Sequence, residues 1–177
     1  MCLIFQYGSN CLTARLNSRE RLNGAAEEMG CAQTVNEYEI AFDVWSESNN
    51  CAAADLIPAT GTGRFPWGVL YKTSERGLAR LREVEGRRYE EIRIPVRTTA
   101  GQEVEATTFF VKFHERKECL WTSAEYVGYI VKGLREHGTP EQYTQQVVDV
   151  AIRTNEKAED QNHAKARLPL ITELRQR

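Results

Sequence analysis

The chain has 177 residues, 41% of them hydrophobic, with 23 lysines and arginines against 25 aspartates and glutamates and a net charge of −2. That length suits one sizeable core better than two, and a charge balance so close to neutral argues against binding nucleic acid by bulk charge. No stretch approaches the length of a membrane span, and Met1-Cys2-Leu3-Ile4-Phe5-Gln6-Tyr7 has neither the basic start nor the long apolar run of a secretory leader, so a cytoplasmic protein with no membrane attachment is expected.

Cys2, Cys11, Cys31, Cys51 and Cys119 are odd in number, widely spread and without a C-x-x-C pair. They read as free thiols in a reducing compartment rather than a disulfide framework or a zinc knuckle. His114, His137 and His163 are too scattered to place two ligands on one helix face, so no metal site is expected.

Leu3 to Gln6 reads as the first strand and empties into Tyr7-Gly8-Ser9-Asn10. A buried strand ending in a turn that Gly8 permits sets consecutive backbone N–H groups at a sheet edge, where they can hold a carboxylate or a developing oxyanion. Strands also end in Gly, Ser and Asn for turn reasons alone, so these four residues do not decide the matter. Asn10 to Leu16 can form a short helix, and Glu20 to Gly30 reads as polar connecting structure. Alternation from Tyr38 to Val44 predicts a half-buried strand, and another is expected over Cys51 to Ile57, ending at Pro58. Gly61-Thr62-Gly63 precedes a strand rather than a helix, so it is a loop and not a dinucleotide fingerprint.

Trp67 to Tyr71 is the next strand, after which Ser74 caps a helix with Leu78, Leu81 and Val84 at helical spacing. Glu85 falls at the end of that helix, before Gly86. A carboxylate there meets the negative end of the macrodipole and lacks the usual stability rationale, although a solvated surface glutamate is the plainer reading. Strands at Tyr89 to Arg97 and Val104 to Phe113 are joined by a turn at Thr99-Ala100-Gly101-Gln102.

Thr122-x-x-Glu125 reads as a capping box before a face of Tyr126, Val127, Ile130, Val131 and Leu134, and Gly138 stops that helix. Thr139 then caps another, with Pro140 at its first position and Tyr143, Val147, Val150 and Ala151 facing inward. Residues 1–154 are expected to form one domain and residues 155–177 a charged tail, helical in part, in which Pro169 interrupts an amphipathic piece from Leu168 to Leu174. Strands first and helices last argue for the α+β class.

Taken in order, Ile4-Phe5-Gln6-Tyr7-Gly8-Ser9-Asn10 with Leu12 and Arg15, Trp67-Gly68-Val69-Leu70-Tyr71, Leu81-x-x-x-Glu85-Gly86, Tyr126, and Glu136-His137-Gly138-Thr139-Pro140-Glu141-Gln142-Tyr143 resemble the gamma-glutamylcyclotransferase family, which includes AIG2-like and BtrG-like members. The likeness spans Leu3 to Tyr143. It implies a small mixed β-barrel flanked by helices and an enzyme that converts a gamma-glutamyl amine or amino acid into 5-oxoproline plus the freed amine.

On that resemblance Glu85 is the catalytic acid and base. Ile4, Phe5, Gln6, Tyr7, Gly8, Ser9, Asn10 and Tyr126 bind the substrate. No cofactor is needed, the partner is a small gamma-glutamyl molecule, and a homodimer is compatible with the family. Without the resemblance Tyr126 reads as a core aromatic at helical spacing, and Ser9 lies in no G-x-S-x-G elbow.

The chain departs from the family pattern in two places. Arg82 stands where the family carries Asp, and only Arg87-Arg88 separate Glu85-Gly86 from Tyr89. Substrate identity is therefore more open than reaction type. Arg64, Arg87 and Arg88 could read the leaving amine, as in removal of a gamma-glutamyl protecting group, or form a solvated face. A non-catalytic binding or interaction module on the same scaffold is the alternative function, because a fold can outlive its chemistry.

Overall fold

The computed structural model describes residues 1–176; Arg177, the last residue of the expected tail, lies outside them. Seven strands run β1 Cys2–Gln6, β2 Glu27–Thr34, β3 Tyr38–Ser46, β4 Cys51–Pro58, β5 Trp67–Thr73, β6 Tyr89–Thr98 and β7 Glu103–Val111. The helices are α1 Thr13–Leu16, α2 Glu75–Glu85, α3 Ala124–Glu136, α4 Glu141–Glu156 and α5 Gln161–Glu173. Five strands close a barrel in the order β1-β5-β2-β6-β7, while β3 and β4 pair in a separate two-stranded sheet. Antiparallel pairs make up most of the barrel, and the closure of β1 on β7 is parallel, with Ile4 opposite Thr107. The architecture is the α+β, mixed barrel flanked by helices that the resemblance implies.

Local chemistry accounts for the placement of the elements. In β3 the inward positions Tyr38, Ile40, Phe42 and Val44 are buried and their neighbours are not, so only one face meets the core. The small side chains of β4 are buried from Cys51 to Leu56, which lets this strand lie between the barrel and α3. There Ala52 N–H donates to the Trp121 carbonyl and Ala54 N–H to the Tyr126 hydroxyl. α3 itself sits directly on the segment after β1: an added Cβ at Gly133 would lie 2.3 Å from the backbone carbon of Cys11. Gly133 thus fixes the height of α3 over the turn that follows β1.

Several local expectations are corrected. The supposed connection Glu20 to Gly30 ends in β2, a barrel strand whose first three residues are exposed and whose register shifts between Glu28 and Gly30, where Gly30 has φ +99°. The helix expected from Asn10 to Leu16 is a 3₁₀ turn, Ser9–Cys11, followed by the single turn of α1.

Two caps also differ. Ser123, not Thr122, caps α3 by accepting from Tyr126 N–H, while the Thr122 hydroxyl donates to the Ala52 carbonyl in the interior. Thr139 does not cap α4. Its hydroxyl donates back to the Leu134 carbonyl, and Pro140 stands just before the first helical residue.

Pro169 lies inside α5 rather than interrupting it. The helix is bound to the domain by Ala164 and Ile171, both fully buried, and by Asn155, whose side chain bridges the backbone of Thr122 to the Ala164 carbonyl. Trp121 is sandwiched in the same seam, stacked by His163 at 5.6 Å and by the Arg167 guanidinium at 4.0 Å.

Among the described residues all five cysteines are free, no group of acidic, histidine and cysteine side chains could hold a metal ion, and no helix is long and apolar enough to cross a membrane.

Candidate active site

Where β1 leaves the barrel, Tyr7 to Asn10 form one wall of a cavity of about 380 Å³, and the C-terminal end of α2 with Arg88 and Tyr89 forms another. The turn is held by Cys11 N–H donating to the Gly8 carbonyl at 2.9 Å and Leu12 N–H to the Ser9 carbonyl. The N–H groups of Gly8, Ser9 and Asn10 meet no acceptor among the described residues, as expected of a first helical turn. Gly8 has φ −94°, so the turn does not depend on left-handed backbone. Space is what Gly8 contributes, because an added Cβ would lie 3.5 Å from the Tyr126 hydroxyl and 3.6 Å from the Ala54 Cβ.

Ser74 starts α2 by accepting from Gly77 N–H, and Gly86 ends it at φ +77°, leaving Glu85 as the last helical residue. The Glu85 carboxylate is half-buried and accepts a hydrogen bond from Asn10 Nδ2 at 2.9 Å. Burial pushes its pKa up to about 6, while the positive charge of Arg21, the Asn10 hydrogen bond and the charge of Arg15 pull it back. Because Asn10 spends its amide N–H₂ on Glu85, its orientation is fixed, and its Oδ1 is buried with no partner.

Tyr126 reaches the cavity from α3 and is anchored by the hydrogen bond it accepts from Ala54 N–H at 3.0 Å. Burial raises its pKa to about 12, so it stays a neutral hydroxyl. Tyr7 is also buried, its hydroxyl donating to the Phe109 carbonyl on β7 and its ring edge-on to Phe110.

The expected site residues therefore divide. Gln6, Tyr7, Gly8, Ser9, Asn10, Glu85 and Tyr126 share the cavity wall. Ile4 and Phe5 do not; both are fully buried in the barrel, where Phe5 contributes its carbonyl to the Thr108 hydroxyl. Of the arginines, Arg87 and Arg88 stand at the mouth. Arg88 donates to the Trp45 carbonyl, which draws the end of β3 toward the opening. Arg64 pairs with Glu39 beside a different groove. Arg82, the departure from the family pattern, pairs with Glu91 on β6 and lines no part of the cavity.

Sequence reading passed over Arg21 and Tyr89 as site residues. Arg21 lies in an irregular turn without periodicity, and Tyr89 was visible only as the start of a strand. Tyr89 is half-buried, and desolvation of its hydroxyl, with the nearby Tyr126 and Glu85, holds that hydroxyl well above the usual range.

Comparison with known proteins points to one family. The AIG2-like family model matches residues 66–147. A gamma-glutamylcyclotransferase of Mus musculus is 27% identical over 161 residues, covering 87% of this chain and 80% of its own. That of Homo sapiens is 25% identical over 170 residues, covering 89% and 86%. A solved structure described as gamma-glutamyl cyclotransferase superposes with a TM-score of 0.72 at 26% identity, over 82% of this chain and 85% of that one. The chain is similar to gamma-glutamylcyclotransferases over most of its length. YkqA from Bacillus subtilis, at 21% identity and a TM-score of 0.68, shares the fold over 85% of this chain and 54% of its own. Within this gamma-glutamylcyclotransferase-like chain, the turn after β1 and the end of α2 meet although they are far apart in sequence, and the Asn10 to Glu85 hydrogen bond is where they touch.

Proposed function

We propose that the protein is a gamma-glutamylcyclotransferase that releases an amine or amino acid from a gamma-glutamyl substrate as 5-oxoproline forms. The observation that carries this reading is a carboxylate with its pKa near 6 facing, in one cavity, a turn with three unanswered N–H groups. Relatives that bear the cyclotransferase name over most of this chain's length support it.

The nucleophile and the electrophile belong to the same substrate molecule, so the protein's first task is to fold the gamma-glutamyl group on itself. The N–H groups of Gly8, Ser9 and Asn10 hold the α-carboxylate, as a nest of backbone donors does. The orphaned Asn10 Oδ1 and the Glu85 carboxylate receive the α-ammonium, whose N–H groups answer both. The Tyr126 hydroxyl contacts the gamma-carbonyl.

Glu85 then accepts a proton from the ammonium, and the freed amine attacks the gamma-carbon to form the ring C–N bond. As the bond to the leaving nitrogen breaks, Glu85 returns that proton to the leaving nitrogen, then takes the second proton that the ring nitrogen sheds on becoming a lactam N–H and passes it to the freed amine, which departs as its ammonium ion. A carboxyl group with its pKa near 6 serves both halves of this transfer, being basic enough to accept and acidic enough to give back.

Glu85→Gln tests the reading directly. It keeps the shape of the side chain, so the fold should persist while 5-oxoproline release from a panel of gamma-glutamyl amino acids, gamma-glutamyl amines and glutathione falls to background. Turnover equal to wild type in that variant would reject the assignment.

A further inference from the structure

β3 pairs with β4 along one edge, and among the described residues no strand lies along the other. A groove of about 1100 Å³ runs beside that free edge. Six consecutive residues, Tyr38 to Asp43, line it, so the groove meets the edge of the strand rather than one face. Its opposite wall is one stripe of α4, Tyr143, Gln146, Val150, Arg153 and Lys157. The segments that carry Arg64 and Lys117 stand at its two ends. The groove shares no residue with the cavity at Glu85.

The phase of the ladder fixes what this edge offers. Opposite Phe42 and Ile40 stand Ala54 and Leu56, whose N–H groups point away from β3, to the Tyr126 hydroxyl and to Asp55 Oδ1. Residues opposite one another in an antiparallel pair either both bond across it or both turn away, so Ile40 and Phe42 turn their backbone groups away from β4. Tyr38, two residues earlier, shows the same phase, its N–H donating to the Arg64 carbonyl at 3.0 Å. At the far end the Asp43 carbonyl accepts from Lys117 N–H at 2.6 Å. Between these two bonds the Ile40 N–H and carbonyl and the Phe42 N–H meet no partner among the described residues, although both residues are buried. Asp43 Oδ1 is buried on the same wall without a partner as well. Such an edge is a template for one more strand.

Charge selects that strand. Glu39 pairs with Arg64, and Asp43 with Arg116. Lys117, Arg153 and Lys157 have no ion-pair partner among the described residues, and Glu118 is the sole unpaired acid on the groove. Phe65 and Phe113, 39% and 84% exposed, add apolar surface that the fold leaves uncovered. A second copy of the chain could not offer its own β3, whose edge lies behind its own α4.

We propose that this groove takes an extended acidic segment of a partner protein, which adds to β3 as a third strand and in which acidic and apolar side chains alternate. Main-chain bonds to Ile40 and Phe42 set the register. The apolar side chains share the face of Ile40 and Phe42, and the acidic ones answer Lys117, Arg153 and Lys157.

A fluorescein-labelled hexapeptide of alternating glutamate and valine is the probe, with alternating lysine and valine as its control. In fluorescence anisotropy at low salt the acidic peptide should bind at least about 10-fold more tightly than the basic one, and added salt should weaken it. Arg153→Glu combined with Lys157→Glu should remove that preference; both side chains are exposed, and melting curves confirm folding.

Strand addition has two further signatures. N-methylation of alternate peptide amides should abolish binding for one set and spare it for the other, because only one set faces β3. Hydrogen exchange should slow on binding at the Ile40 and Phe42 N–H groups and not at those of Glu39 and Ala41, which the β4 ladder already protects. No saturable binding, equal affinity for the two peptides, or unchanged exchange at Ile40 and Phe42 overturns the proposal. So does a dimer in sedimentation that the double variant on α4 dissociates, since a second copy would then fill the groove.

Discussion

Asn10 and Glu85 stand 75 positions apart in the chain and are joined by a 2.9 Å hydrogen bond from the amide of one to the carboxylate of the other. The bond favours the charged form of Glu85 and opposes the burial that pushes its pKa up to about 6. Asn10→Ala should therefore move the Glu85 pKa further upward. If Glu85 must be ionised to accept the substrate proton, the acidic limb of the kcat/KM profile falls near pH 6 in wild type and at higher pH in the variant. Rates across pH 5 to 8 read this directly, and an unmoved limb would mean that another group titrates there.

The same ionisation bears on stability. Burial raises Glu85 to about 6 and Asp43, which is buried near Asp55, to about 7. A carboxyl group whose pKa is higher folded than unfolded binds protons more readily in the native state, so its contribution is complete at acid pH and is lost as pH rises through the folded value. The melting temperature should accordingly decline between about pH 4.5 and pH 7. Glu85→Gln removes one of these groups and should stabilise the protein by about 1 kcal/mol at pH 7, a gain that disappears near pH 4.5. Thermal denaturation at the two pH values provides the comparison.

Two glycines should respond in opposite ways to alanine. At Gly133 an added Cβ would lie 2.3 Å from the backbone of Cys11 and Leu12, so α3 would have to lift from the turn. A loss of about 3 kcal/mol or more is expected in urea titrations of Gly133→Ala. At Gly8 the nearest atoms lie at ordinary contact distance, 3.5 Å and 3.6 Å. Gly8→Ala should keep its stability within about 1 kcal/mol of wild type and lose activity through a raised KM, since the methyl group occupies the space where substrate binds.

These contrasts show which parts of the molecule were legible in the sequence. β1, β3 and β5 advertise themselves by apolar runs or alternation, and Ser74 marks the start of α2 by its capping chemistry. β2 hides because Glu27, Glu28 and Met29 face solvent and the shift at Gly30 breaks the period. Pro169 suggested an end to a helix that packing on Ala164 and Ile171 carries through. Within the site, Gly8, Glu85 and Tyr126 were found through family motifs, but motif reading also drew in Ile4 and Phe5, which serve the core. Arg21 was out of reach because its place at the cavity is a property of the surroundings and leaves no periodic trace in the chain.

Away from the cavity, Asp55 ties four elements of structure together. Its carboxylate is fully buried, accepts from Leu56 and Val111 N–H at 2.8 Å each, and pairs with Arg116 at 2.8 Å. Arg116 also approaches Asp43 at 3.7 Å, so the group clamps β4 to β3, to β7 and to the segment after it. Asp55→Ala would leave two buried amides and a guanidinium without their acceptor, and a loss of about 3 to 5 kcal/mol is expected from chemical denaturation. A loss below about 1 kcal/mol would show that water reaches the clamp.

Tyr126 has two duties that one substitution separates. Its hydroxyl oxygen accepts from Ala54 N–H at 3.0 Å, an interior bond that holds α3 against β4. An oxygen that accepts one N–H can still donate its own proton, and it is this donor that the proposed mechanism assigns to the gamma-carbonyl. Tyr126→Phe should cost about 1 to 3 kcal/mol of stability, because the Ala54 amide loses its acceptor. Assayed well below its melting temperature, the variant should also lose about 10-fold or more in kcat/KM, as expected when a donor to the reacting carbonyl is removed. If stability falls while kcat/KM matches wild type, Tyr126 serves the scaffold alone, and the carbonyl must find its donor among the N–H groups of Gly8, Ser9 and Asn10.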